Sequence, residues 1–86
     1  MKYRVFLEKR AQKQLENLNT DIHDHIKEKI IKLKEGFVPE LDIKKLKGFK
    51  NHYRLRIGGY RILFELQEGP SIIVYAILPR KKAYKK

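Results

Sequence analysis

The sequence of 86 residues contains no cysteine, which excludes a disulfide framework, a thiol nucleophile and a thiolate metal site. It also lacks a long hydrophobic run, because the longest apolar stretch, Ile72 to Leu78, is far shorter than the roughly 20 residues that span a bilayer. The first residues are charged and polar, unlike the apolar core of a signal peptide. We therefore expect a soluble cytoplasmic protein that does not act at a membrane.

Acidic side chains are scarce, since 10 Asp and Glu accompany 21 Lys and Arg and the formal net charge is +11. A small chain tolerates that much self-repulsion more easily when its working partner is a polyanion. The histidines His23 and His25 stand two positions apart on a predicted helix and point to different faces, so we expect neither a metal nor a cofactor. The length predicts a single domain over residues 1–86.

The spacing of apolar residues predicts a mixed fold. An opening strand is expected between Lys2 and Leu7, followed by two helical stripes that end near Gly36. Alternating runs then predict strands from Leu41 onward. The continuous apolar run Ile72 to Leu78 predicts a last strand that is covered on both sides and ends at Pro79. The expected fold class is α+β: an N-terminal strand, an antiparallel helical hairpin, then an antiparallel meander of three to four strands with the helices on one face.

A predicted β-hairpin over residues 52–66 carries the most informative pattern. The glycine pair at 58–59 is typical of a two-residue turn, and it places Arg56 directly opposite Arg61. Arg54 and His52 share that face, while the apolar residues of both strands face the helices. Like charges directly opposite each other destabilise a sheet by about 0.2–1 kcal/mol, and an anion bound between them makes the arrangement favourable. A plain solvated strand face is the alternative, so the pattern supports phosphate or nucleic-acid binding but no particular reaction.

These residues also carry a resemblance to a known family. The motifs concerned are Lys44-Lys45-Leu46-Lys47-Gly48, the hairpin segment Tyr53-Arg54-Leu55-Arg56-Ile57-Gly58-Gly59-Tyr60-Arg61-Ile62, and the closing segment Ile77-Leu78-Pro79-Arg80-Lys81-Lys82-Ala83-Tyr84. Together they resemble the RelE branch of the RelE/ParE toxin superfamily, which comprises the mRNA-cleaving members of toxin–antitoxin pairs. The resemblance spans nearly the whole chain and implies a RelE-like microbial ribonuclease fold.

The resemblance also implies a reaction. Toxins of this branch enter the ribosomal A site and cut the mRNA there by attack of a ribose 2′-hydroxyl on the adjacent phosphate, which inhibits translation. Arg61 and Arg80 match the family's phosphate-stabilising arginines, and Tyr84 matches its catalytic or base-stacking tyrosine. Arg54 and Arg56 stand where well-studied relatives have lysines. A further five lysines are expected to contact RNA: Lys44, Lys45, Lys47, Lys81 and Lys82.

The proton acceptor for the 2′-hydroxyl stays open at this stage. An arginine remains protonated above about pH 12, so Arg54 cannot act as a conventional base. Tyr84 as a phenolate, a ribosomal group, or positioning without an efficient base are the alternatives, and His52 matches no catalytic position of the family.

The implied partners are the ribosome, with its rRNA and A-site mRNA, and a cognate RelB-like antitoxin whose acidic or amphipathic segment wraps the toxin. Two other functions remain candidates. One is a ParE-like inhibitor of DNA gyrase, and the other is a catalytically weak relative that binds nucleic acid.

Overall fold

The computed structural model describes residues 2–79, which form one five-stranded sheet with two helices. The chain runs β1 (Arg4–Leu7), α1 (Lys9–Glu16), α2 (Thr20–Lys32), a 3₁₀ turn (Leu33–Glu35), β2 (Asp42–Lys45), β3 (His52–Ile57), β4 (Tyr60–Gln67) and β5 (Ser71–Pro79). Neither helix of this described part is long and apolar enough to cross a membrane.

The strand order in the sheet is β1-β5-β4-β3-β2. Strands β2 to β5 form the expected antiparallel meander with four members. The opening strand joins the same sheet, where β1 pairs in parallel with β5. A parallel partner requires a long connection, and the chain between β1 and β5 includes both helices and the strands β2 to β4. The α+β class and the order of elements are therefore confirmed.

The core lies between one face of the sheet and the helices. Fully buried sheet residues include Leu55, Phe64 and Val74, which meet Ile26 of α2 and Ala11 of α1 in one cluster. Because side chains alternate along a strand, this arrangement leaves the other face of the sheet without a helix. We call that second surface the open face.

Strand β5 was expected to be covered on both sides, because it is continuously apolar. Its residues instead alternate along most of the strand between fully buried positions such as Ile72 and half-buried ones such as Ile73. The pairing of β1 with β5 ends at Val74, so the Ile77 backbone N–H on that side of β5 has no strand partner. It donates instead to Gln14 Oε1 of α1 at 2.7 Å. The first helix therefore closes the part of β5 that β1 leaves open.

Candidate functional site

The hairpin of β3 and β4 has the register expected from the sequence. Its Cα partners are Ile57 with Tyr60, Arg56 with Arg61, Leu55 with Ile62 and Arg54 with Leu63. Gly58 has a φ of 55°, whereas Gly59 does not enter the positive-φ region. A positive φ at the first central position alone is the pattern of a type II′ turn, whose twist matches the flanking strands. This turn fixes which arginines stand side by side.

Three arginines share the open face at the turn end of the hairpin, and we call Arg54, Arg56 and Arg61 the arginine cluster. Arg56 and Arg61 are direct cross-strand partners, and Arg54 lies two residues along β3 on the same face. In the neighbouring strand β2, Asp42 is the partner of Arg56 and Lys44 is the partner of Arg54. The sheet thus places Arg54, Arg56 and Lys44 next to Asp42. Arg61 lies one strand further away, on β4.

The members of the arginine cluster differ in their surroundings. Arg61 is only 6% exposed, although it lies on the open face, and Arg56 is exposed. The Arg54 side chain is 11% exposed, and its Nη2 lies 3.8 Å from Asp42 Oδ1. That separation makes a loose ion pair, so it leaves the guanidinium donors of Arg54 able to take a second anion.

The predicted RNA-binding lysines divide between two places. Lys44 lies on β2 beside Arg54, and Lys45 follows on the opposite side of the strand as the partner of Tyr53. Lys47 belongs to the β2–β3 loop, residues 46–51, which borders an open depression of about 480 Å³. Arg80, Lys81, Lys82 and Tyr84 lie outside the described residues, so their assigned roles stay predictions.

A second polar group lies on the open face next to the arginine cluster. His52 Nδ1 and the Tyr75 hydroxyl are 2.9 Å apart, and His52 Nε2 lies 3.9 Å from Glu65 Oε2. Burial, assisted by the charges of Glu65 and Glu8, raises the pKa of Tyr75 above its usual value. Burial therefore favours the protonated hydroxyl of Tyr75, which is hydrogen-bonded with Nδ1 of His52.

His52 is anchored in the sheet surface by its side-chain contacts. Its Nδ1 is hydrogen-bonded with the Tyr75 hydroxyl, whereas its Nε2 faces Glu65 Oε2 at 3.9 Å, beyond hydrogen-bond distance. The ring is therefore held in a defined orientation two residues along β3 from Arg54.

Several residues of this surface were not identified from the sequence as functional. Asp42 balances part of the cationic charge, Tyr75 holds His52, and the exposed ring of Phe49 contacts His52 at a centroid distance of 5.8 Å. The signal available for Phe49 was an aromatic residue within a run of lysines. Within residues 2–79, no group of three His, Asp or Glu side chains is placed to hold a metal ion.

Comparison with known proteins identifies related chains. The family model described as "ParE toxin of type II toxin-antitoxin system, parDE" matches residues 5–84. A curated toxin named RelE3 from Methanocaldococcus jannaschii is 51% identical over 45 residues, covering 52% of this chain and 50% of the relative. A protein named RelE1 from the same organism is 39% identical over 88 residues, covering 99% of this chain and 98% of the relative.

Two solved structures share the whole architecture. The RelE–RelB complex from Pyrococcus horikoshii OT3 matches with a TM-score of 0.79 at 29% identity, covering 93% of this chain and 97% of the matched chain. The RelB–RelE antitoxin–toxin complex from Methanococcus jannaschii matches with a TM-score of 0.79 at 34% identity, covering 92% and 94%. Both relatives were crystallised as complexes of RelE with RelB.

Proposed function

The chain belongs to the RelE/ParE family of type II toxin–antitoxin toxins, as a RelE-type member, and on that premise we propose that it is a ribosome-dependent endoribonuclease. In this proposal it cleaves mRNA in the ribosomal A site, in the cytoplasm, by attack of a 2′-hydroxyl on the adjacent phosphate. Translation stops because the message is cut within the codon being read.

The observation that carries the proposal is the arginine cluster. Three guanidiniums meet on one sheet face beside a tight turn, accompanied by Lys44, with Asp42 beside Arg54. Such an excess of cations is unfavourable without an anion and favourable with one, because each guanidinium offers a planar fork of donors to phosphate. During phosphodiester cleavage negative charge grows on the phosphate oxygens, and fixed cations stabilise that charge more than they stabilise the ground state.

We assign roles according to burial. Arg61 is held by its surroundings and supplies a fixed positive charge, whereas exposed Arg56 and partly exposed Arg54 can close on the substrate phosphate. Arg80 is proposed to add a further phosphate contact. Tyr84 is proposed either to stack on a base or to assist proton transfer.

The proton acceptor is proposed to be Tyr84 or a ribosomal group. Arginine cannot accept a proton at physiological pH, so none of the arginine cluster can act as the base. His52 lies close to Arg54 but has both ring nitrogens directed at Tyr75 and Glu65. If the acceptor is a ribosomal group, cleavage depends on the ribosome.

A RelB-like antitoxin is the proposed inhibitor. Two of the related toxins are known in complex with RelB, and the charge of +11 suits an acidic partner. We expect such a segment to gain affinity by folding as it binds, and to block access of RNA to the cationic face. Adding the antitoxin to the cleavage reaction tests this role, since cleavage should stop at one equivalent of bound antitoxin.

The direct test of the proposed reaction uses purified protein, programmed ribosomes and primer extension to map mRNA ends. Cuts are expected within the A-site codon, and they should be strongly reduced in Arg56→Ala and Arg80→Ala. Arg10→Ala is the matched control, because it removes the same charge from an exposed position of α1. Undiminished cutting by both site variants, or an equal loss in the control, would refute the assignment.

A second candidate function rests on the family model itself, whose description names ParE. A ParE-like protein is expected to inhibit DNA gyrase. In a supercoiling assay with purified gyrase, inhibition without any cleavage of ribosome-bound mRNA would favour this function. Binding to RNA with neither activity would identify a relative that only binds nucleic acid.

A further inference from the structure

The β2–β3 loop presents an aromatic ring to solvent. Phe49 is 61% exposed, the largest fraction among the exposed large apolar side chains of residues 2–79. The exposed ring leaves apolar surface in water, and a ligand that covers it removes that surface from water. Single exposed apolar residues are common, so the assignment depends on what surrounds the ring.

The surroundings of Phe49 are cationic. The depression beside it is lined by Lys45, Leu46, Lys47, Gly48, Phe49 and Lys50, and no acidic residue belongs to this lining. All three lysines are exposed. A ring among flexible ammonium groups combines the two features of surfaces that bind unpaired nucleotides, since bases stack on the ring and the ammonium groups attract phosphates.

The loop is held in a defined conformation. The Leu46 backbone N–H donates to the His52 carbonyl at 2.9 Å, and the Leu66 N–H of β4 donates to the Asn51 carbonyl at 2.8 Å. Gly48 and Asn51 have φ values of 80° and 62°. Left-handed backbone at a non-glycine residue persists only where surrounding contacts enforce it, and asparagine tolerates it best. A ligand consequently meets a surface that is already organised.

Other rings support Phe49 from the sheet side. Phe49 contacts the His52 ring with an interplanar angle of 46°, and His52 in turn contacts the Tyr75 ring at 5.4 Å. His52 stands two residues from Arg54 on β3, which is about 6.6 Å along the strand. The aromatic ring therefore lies at the end of β3 away from the turn, and Arg54 is the member of the arginine cluster nearest to it.

We infer that Phe49, backed by His52 and flanked by Lys45, Lys47 and Lys50, stacks an unpaired base of single-stranded RNA next to the nucleotide held by the arginine cluster. This inference rests on the proposed function only in taking RNA as the ligand. Stacking on a phenyl ring accepts any base, so the site supplies affinity and register without a sequence preference.

The chain contains no tryptophan, so a tryptophan introduced at position 49 can report on binding at this site. Phe49→Trp introduces the only tryptophan, which can be excited selectively over the five tyrosines. Titration with a 2′-O-methyl oligoribonucleotide then measures stacking as quenching of the tryptophan fluorescence. The 2′-O-methyl groups block cleavage, so binding is read independently of the reaction. We expect quenching that saturates with the oligonucleotide and weakens with added salt.

Variants separate stacking from simple apolar contact. With a fluorescein-labelled oligonucleotide, Phe49→Ala and Phe49→Leu should weaken binding about 5- to 150-fold, the range of one stacked base, whereas Phe49→Tyr should retain it. Phe6→Ala is the matched control, because Phe6 is 49% exposed on β1 at the far edge of the sheet. Urea midpoints confirm that each variant is folded.

The inference is overturned if RNA causes no quenching, if Phe49→Ala binds RNA as tightly as the wild type, or if Phe49→Leu retains full binding. Quenching by an acidic polyglutamate peptide but not by RNA also overturns it and identifies the loop as a protein contact. Ring-dependent RNA binding without A-site cleavage would refute the proposed reaction and leave the stacking site standing. A-site cleavage that Phe49→Ala leaves unchanged would support the proposed reaction and refute the stacking site.

Discussion

Replacement of Arg56 by alanine is the cleanest perturbation of the arginine cluster. Its side chain is exposed, so truncation leaves no cavity and should change the free energy of unfolding by no more than about 0.5 kcal/mol. Loss of the like-charge contact with Arg61 stabilises the hairpin by about 0.2–1 kcal/mol, which offsets the poorer strand propensity of alanine. We therefore expect a urea midpoint close to that of the wild type.

The effect on the reaction should be much larger. A hydrogen bond from a charged donor contributes about 1.5–3 kcal/mol, so loss of one guanidinium–phosphate contact should slow single-turnover cleavage of ribosome-bound mRNA about 10- to 150-fold. Arg56→Lys keeps the charge without the planar fork and should fall between the wild type and Arg56→Ala. The rates are measured with ribosomes in excess, so that product release does not mask the cleavage step.

Arg61 requires a different comparison because it is 6% exposed. Arg61→Ala empties buried space as well as removing charge, so its rate and its urea midpoint should fall together. Arg61→Lys keeps the charge and most of the stem. The reasoning fails if Arg56→Ala cleaves at the wild-type rate, or if its rate falls only in proportion to a loss of folded protein.

Three further predictions concern the scaffold. Phe64→Ala should destabilise the fold by about 3–5 kcal/mol in urea titrations, because Phe64 is fully buried between packed aromatic rings; a loss below about 1 kcal/mol would contradict its central place in the core. Gln14→Met should cost about 1–3 kcal/mol by removing the acceptor of the Ile77 N–H, while an equally stable variant would show that water replaces the amide. Tyr75→Phe tests the raised pKa of Tyr75. The folded chain holds this proton longer than the unfolded chain, so wild-type stability should decrease as pH rises from the unfolded pKa of about 10 toward the higher folded value. Urea midpoints at about pH 9 and 11 should therefore fall more in the wild type than in Tyr75→Phe, and parallel curves would exclude the effect.

The hairpin was predictable because its determinants are local. The glycine pair fixes the turn, and alternation along β3 and β4 fixes which side chains share a face, so the Arg56–Arg61 pairing follows from sequence alone. The burial of Arg61 does not follow, because exposure depends on what neighbouring strands place around the side chain. Arg80, Lys81, Lys82 and Tyr84 lie outside the described residues, and their roles remain predictions.

Non-local features escaped sequence reasoning for a common physical reason. The parallel pairing of β1 with β5 joins segments from the two ends of the chain, and no local pattern records such a contact. The contact between Phe49 and His52 belongs to a loop in which Asn51 has a left-handed backbone, and an asparagine in the sequence permits that conformation without predicting it. The expectation of a strand covered on both sides overestimated the burial of β5, because apolar side chains such as Ile73 also occupy half-exposed positions.

The seating of the first strand has a kinetic consequence. Arg4 pairs with Ser71, so β1 can join the sheet only after nearly the whole chain has been brought together. Closing such a long loop lowers the chain entropy before any stabilising contact between β1 and β5 has formed. The β3–β4 hairpin, by contrast, closes over two residues. We therefore expect the pairing of β1 with β5 to be the last step of refolding, after strands β2 to β5 have assembled. In native-state hydrogen exchange, the amides of β1 should then open before those of β4.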